Sequence, residues 1–153
     1  GVGLLDVMAN SWGWSNNQLY PPLLGAYLKT KAQWANVVHV TEGGTYQLGP
    51  ACSSNNVLRI DHTMTEGEYF LLENRWGCGF DTEFGDDSRH GVAIWHIDET
   101  GILGEAQVGY RTAGICSGGS CYKHYEAAVV QADGQWDLEQ GYTRVPVNLG
   151  DNR

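Results

Sequence analysis

The sequence predicts a mainly β fold, an antiparallel sheet or sandwich, with one N-terminal helix. Three observations point there. Apolar residues alternate with period two over much of the chain after residue 36. Gly is abundant, at 21 residues, beside six Trp and eight Tyr. Charged residues make up only 18%, against a typical share of about 25%. Few charges with many glycines and aromatics suit a β-rich, loop-rich, secreted chain.

The elements follow in order. Residues 1–20 are rich in Gly, Asn and Trp and read as ordered loop. Pro21-Pro22 opens the helix, because Pro is favoured in a first turn. Leu23, Leu24, Tyr27, Leu28 and Trp34 recur at helical spacing, which carries the helix to about Asn36. Short strands are expected over 37–40, 45–48 and 57–61, each bounded by Gly, Asn, Ser or Pro. Residues 68–74 and 91–98 are longer and apolar on both faces, which suits central strands. Residues 124–132 repeat the pattern, with Ala127, Val129 and Gln131 on one face and Ala128 and Val130 on the other. The loops at 76–90 and 99–123 are long for a compact domain, and each holds cysteine. Residues 1–36, the first loop and helix, and 37–153, the β-rich region, are read as parts of one compact domain.

Charge and length exclude several partners. Nine Lys plus Arg against 18 Asp plus Glu leave a net charge of −9, so nothing would offset repulsion from nucleic acid or an anionic membrane. No apolar run approaches the roughly 20 residues of a membrane-spanning helix. The chain begins with Gly and carries no signal-like segment, so a processed or partial piece of a longer secreted chain is expected.

Four cysteines allow three pairings. Cys116 and Cys121 flank Ser-Gly-Gly-Ser, a tip able to close a small loop, and that leaves Cys52 with Cys78 by elimination. The rival reading, a zinc site, lacks Cys-x2-Cys spacing.

Catalytic signatures are missing from these 153 residues: there is no His-Glu-x-x-His, no Gly-x-Ser-x-Gly, no phosphate loop and no dinucleotide fingerprint. The carboxylates say more. Asp81, Glu83, Asp86 and Asp87 crowd one loop, Asp98 and Glu99 end a strand, Asp133 and Asp137 flank Gly134, and Asp151 follows Gly150. Calcium needs six to eight hard oxygens and a sharp turn, so Asp98, Glu99, Asp133 and Asp137 are the candidate calcium ligands; the rival reading is a solvated acidic surface. Glu73 and Arg75 close an apolar strand and are read as a buried polar clamp between strand and loop, with a bidentate Arg75–carboxylate contact. His96, inside Ile-Trp-His-Ile-Asp, is read as a structural polar group, as is His124.

Several segments together resemble one family. Gly-Val-Gly-Leu-Leu-Asp-Val-Met-Ala-Asn at 1–10, with Trp12-Gly13, is similar to the segment after the zinc helix in M6 metallopeptidases, the immune-inhibitor-A-like secreted proteases. Residues 22–31 resemble their following Pro-x-x-Leu-x-x-x-x-Lys helix, and 69–75 their Tyr-Phe-Leu-Leu-Glu-Asn-Arg strand. Gly79-Phe80-Asp81, the Ile-Trp-His-Ile-Asp-Glu run at 94–99, His124, the 129–137 segment and Gly150-Asp151 resemble later blocks in the same order. The resemblance implies the C-terminal portion of a metzincin-like α+β zinc endopeptidase. In such enzymes a His-Glu-x-x-His helix supplies two zinc ligands and the general base, and a Met-containing turn lies beneath the metal. Met8 matches that turn, and Asp6 with Met8 would form the edge of the zinc site. Zinc itself would belong to the missing part of the parent chain, so these residues alone are expected to be inert, with the rest of the parent chain as partner. The alternative is a non-catalytic extracellular module that binds or self-assembles, its partners identical copies. A third reading is a calcium-dependent binding module.

Overall fold

The computed structural model describes residues 2, 4–9, 12–13, 18–83, 90–100, 115–117, 120–122, 125–130 and 132, with 115–117 and 120–122 described as backbone only. Chain order is α1 (Ala26–Lys31), β1 (Asn36–His39), β2 (Asn56–Ile60), β3 (Glu68–Arg75), a 3-10 turn (Gly79–Glu83), β4 (Gly91–Asp98), β5 (Ile115–Ser117), β6 (Ser120–Tyr122) and β7 (Ala127–Val129). A five-stranded sheet has the order β1-β2-β3-β4-β7, and β5 and β6 form a separate hairpin inside the second long loop. Among the described residues the fold is thus mainly β with one short helix. No helix among the described residues is long and apolar enough to cross a membrane.

Three expectations need correction. The sheet is mixed, because β1 runs parallel to β2 while the other pairs are antiparallel. A parallel pair needs a long return connection, and residues 40–55 supply it. That return takes up the strand expected at 45–48: Asn74 Nδ2 donates to the Leu48 carbonyl, and Ala51 N–H donates to the Asn74 carbonyl, so the segment closes over the end of β3 instead of joining the ladder. The helix is also shorter than its periodicity suggests. Gly25 is extended, at φ −68° and ψ 163°, and the amides of Leu23 and Gly25 are bound by the carboxylates of Asp81 and Asp6, which fixes this stretch outside the helix. At the other end Gln33 takes a left-handed φ of 61°. Gln33 N–H then donates to Thr30 O and Trp34 N–H to Lys29 O, a Schellman closure that leaves Trp34 66% exposed, off the helix face.

The core lies on one face of the sheet. Val57, Tyr69, Leu71, Ala93, Trp95, Ile97, Ala127 and Val129 are buried together under Ala26 and Tyr27 of α1 and under Leu5. Period two brings Glu73 and Arg75 to the same face as Tyr69 and Leu71. Two charged residues therefore enter the core, and their partners define the site described next.

Candidate functional site

A charge buried without a partner is strongly unfavourable, so Glu73 and Arg75 must be satisfied internally. Glu73 Oε2 accepts from Lys29 Nζ at 2.7 Å. Its Oε1 accepts from Arg75 Nη1 at 3.1 Å and from Trp95 Nε1 at 3.2 Å. Arg75 forks onto Asp81, with Nε at 2.6 Å from Oδ2 and Nη2 at 2.8 Å from Oδ1, the bidentate form that suits guanidinium to carboxylate. Arg75 Nη1 also donates to the Leu5 carbonyl at 2.7 Å. Asp81 Oδ1 accepts the Leu23 amide at 3.0 Å.

Asp6 completes the network from the N-terminal side. Its Oδ1 accepts the Met8 amide at 2.7 Å and its Oδ2 accepts the Gly25 amide, also at 2.7 Å. Asp6, Lys29, Glu73, Arg75 and Asp81 are all buried, three acids against two cations. Asp6 is the acid held by backbone amides instead of a cation. Burial pushes its pKa above the ordinary carboxylate value and Glu73 adds to the rise, while the Met8 and Gly25 amides and the Arg75 charge oppose it. Burial works against the Arg75 charge, but Glu73 and Asp81 outweigh it and raise its pKa.

The network joins five pieces of chain: the turn at 4–9, residues 23–29, β3, the 3-10 turn and β4. Packing at the centre is tight. A Cβ on Gly25 would lie 2.6 Å from Asp6 Oδ2 and 2.8 Å from Trp95 Cζ2. The Cys52–Cys78 disulfide is present, and Cys78 precedes Asp81 by three residues.

Above the network the Asp6 side chain holds a turn, in which Ala9 N–H also donates to the Asp6 carbonyl. Met8 stands at the tip and is 76% exposed. Among the described residues the Asp6, Lys29, Glu73, Arg75 and Asp81 side chains are each engaged within the network, so the arrangement can position the turn.

The other expected site residues lie elsewhere. Asp98 Oδ1 accepts the Thr100 amide at 2.9 Å and the Thr100 hydroxyl at 2.6 Å, a local turn at the end of β4. Glu99 Oε1 accepts from Lys31 Nζ and Tyr69 OH, each at 2.9 Å, and these two hydrogen bonds hold its pKa below the ordinary value. Nearby, the Tyr27 hydroxyl donates to Glu126. Burial, reinforced by the carboxylate partners, pushes both the Tyr27 and Tyr69 phenols well up. Asp133 and Asp137 lie outside the described residues, as do Asp86, Asp87, Asp151 and His124. Among the described residues no three His, Cys, Asp or Glu gather as a metal-binding group. His96 is half-buried on the opposite sheet face, its ring 5.4 Å from that of Phe70. Cys116 and Cys121 are register partners across β5 and β6; their side chains lie outside the described ones.

Sequence reasoning named Glu73, Arg75 and the acidic loop with Asp81, but it passed over Lys29 and Trp95. Lys29 carried a signal: it sits three residues after Ala26 on the buried helix face. Trp95 carried one too, as the polar-tipped member of an apolar strand that needs an acceptor when buried. Comparison of the chain with protein-family models, curated proteins and solved structures gives no match.

Proposed function

We propose that this chain is the C-terminal portion of a secreted M6-like zinc metalloendopeptidase, and that the Asp6–Met8 turn borders the zinc site. The observation that supports it is the turn itself. Asp6 and Arg75 anchor it in the core while the apolar tip residue, Met8, stands in solvent. A rigid mount under an exposed methionine suits a turn that a further piece of protein covers. The His-Glu-x-x-His that would supply two zinc ligands and the general base is not among these residues; their part is to hold the turn, and alone they are inert. Calcium bound by Asp98 and Glu99 with Asp133 and Asp137 belongs to the same proposal.

The test is peptide mapping of the native protein with its chelator-sensitive proteolysis. Peptides running upstream into a His-Glu-x-x-His helix, with activity lost to a chelator, are expected. Peroxide footprinting adds a second readout: Met8 should oxidise readily in the isolated 153-residue chain and slowly in the longer native protein. A natural N-terminus at Gly1, or zinc-dependent proteolysis by the isolated chain, overturns the reading.

A second reading is favoured by the exposed aromatic side chains Trp12, Trp34, Trp76 and Phe80. Exposed rings of this kind serve stacking and association. In that case the chain is a non-catalytic extracellular module that assembles with copies of itself, and sedimentation of a native chain beginning at Gly1 should show oligomers.

A further inference from the structure

The Cys52–Cys78 bond closes a stretch whose ends are already together. β2 and β3 pair as antiparallel strands inside it, and Ala51 N–H is bonded to Asn74 O. The sheet therefore does not depend on the disulfide for its register. What the disulfide fixes is the segment after β3. Cys78 leads directly into the 3-10 turn: Asp81 N–H donates to the Cys78 carbonyl, and the Thr82 hydroxyl donates to Gly79 O. Gly79 holds φ +61°, and a Cβ there would come within 3.1 Å of Cys52 Cβ, so the turn starts pressed against the cystine. Three residues beyond Cys78, Asp81 reaches both Arg75 and the Leu23 amide. Arg75 in turn holds Leu5 O, and Leu23 precedes Gly25, whose amide holds Asp6 and so the Met8 turn. Both cysteines are half-buried, with exposed Ser53 and Gly79 beside them in the chain.

We propose that Cys52–Cys78 is a reversible thiol-exchange site that sets how firmly the Asp6–Met8 turn is held. The reductant is a dithiol. One of its thiolates attacks a cystine sulfur, forming a mixed disulfide and releasing the other cysteine as a thiolate. The second thiol of the reagent then closes its own disulfide and frees the first cysteine. Two electrons pass to the protein, and two protons complete the Cys52 and Cys78 thiols. The 3-10 turn is then no longer fixed against Cys52, Asp81 loses its preset position against Arg75 and Leu23, and the Met8 turn loosens while the sheet stays formed. This inference does not depend on the peptidase reading.

The test is residue-resolved amide exchange of the 153-residue protein with and without dithiothreitol, reduction of Cys52 and Cys78 being confirmed by alkylation and peptide mapping. Leu23 exchange should rise at least tenfold on reduction, with Gly25 and Met8 following, while β3 and β4 amides change less than twofold. The C52S/C78S variant without reductant should show the same pattern, which separates this bond from the other two cysteines. In Asp81→Asn with the disulfide intact, Leu23 should already exchange fast, and reductant should add less than twofold. The proposal is overturned if Leu23 does not respond to reduction, if all amides accelerate together, or if reductant still adds tenfold in Asp81→Asn.

Discussion

Glu73→Gln is the sharpest test of the buried network, because it removes one charge and almost no volume. The native carboxylate accepts Lys29 Nζ on Oε2 and both Arg75 Nη1 and Trp95 Nε1 on Oε1. A glutamine has one acceptor and one donor. If its nitrogen takes the Oε2 position, it faces the Lys29 ammonium at 2.7 Å. If the amide is turned over, the nitrogen faces two N–H donors instead. Either way a buried donor meets a buried donor, and Lys29 loses its counter-charge. Breaking a buried pair in this way destabilises by about 3–5 kcal/mol. For a chain of this size each kcal/mol shifts Tm by roughly 2–4 °C, so thermal unfolding followed by tryptophan fluorescence should fall by roughly 6–20 °C. The control is Lys31→Gln, which breaks the Lys31–Glu99 pair with side chains 48% and 44% exposed; such surface pairs contribute about 0–1 kcal/mol. Adding Lys29→Met to Glu73→Gln removes the stranded cation and should recover part of the loss. If Glu73→Gln costs no more than Lys31→Gln, the network is not the keystone that its geometry implies.

Three further predictions concern the same structure. Gly25→Ala should destabilise by about 1–3 kcal/mol through the clash with Trp95 and Asp6, opposite in sign to the gain of about 0.4–1 kcal/mol usual where an alanine fits; urea midpoints decide it. Asp6 has a folded pKa raised above 3.8, so the folded state takes up its proton first, and the Asp6 contribution to stability should rise as pH falls through the folded pKa and level off below about 3.8. The difference between the stability curves of the native chain and Asp6→Asn isolates that slope, and a difference that falls with acidification would show the opposite linkage. If Asp98 and Glu99 join Asp133 and Asp137 as calcium ligands, calorimetry should show calcium uptake and a chelator should lower Tm; neither effect is expected in Asp133→Asn/Asp137→Asn.

Much of the sheet is legible in the sequence because period two is a local signal. Residues 68–75 and 91–98 alternate strongly enough to mark the two central strands, and the Glu73 and Arg75 positions follow from counting along β3. The helix start is not legible, since Leu23 and Leu24 have helical spacing but the amides of Leu23 and Gly25 answer to Asp81 and Asp6, 58 and 19 residues away in sequence. The parallel β1–β2 pairing is hidden for the same reason: nothing local in 45–48 says that its backbone will meet Asn74 instead of a strand. The site divides likewise. A strand ending in Glu-Asn-Arg announces a buried charge, but which helix lysine and which loop aspartate answer it is decided only by tertiary packing.

Stability alone is a poor reason for such a network. Buried ion pairs often contribute no more than well-packed apolar residues of equal volume, and their replacement can even stabilise. Here Lys29, Glu73, Arg75 and Asp81 occupy positions where Leu or Met would extend the core already formed by Tyr69, Leu71 and Trp95. What apolar residues would not provide is direction. Arg75 fixes Leu5 O and Asp81 at once, Asp81 fixes Leu23, and Asp6 fixes Gly25 and Met8, each through a hydrogen bond with one geometry. An all-apolar replacement should therefore leave Tm nearly unchanged while the Met8 and Gly25 amides exchange faster, which separates a network kept for position from one kept for stability. That separation bears on function, because a turn held in one place matters to a site completed by another piece of protein and matters little to a module whose only task is to fold.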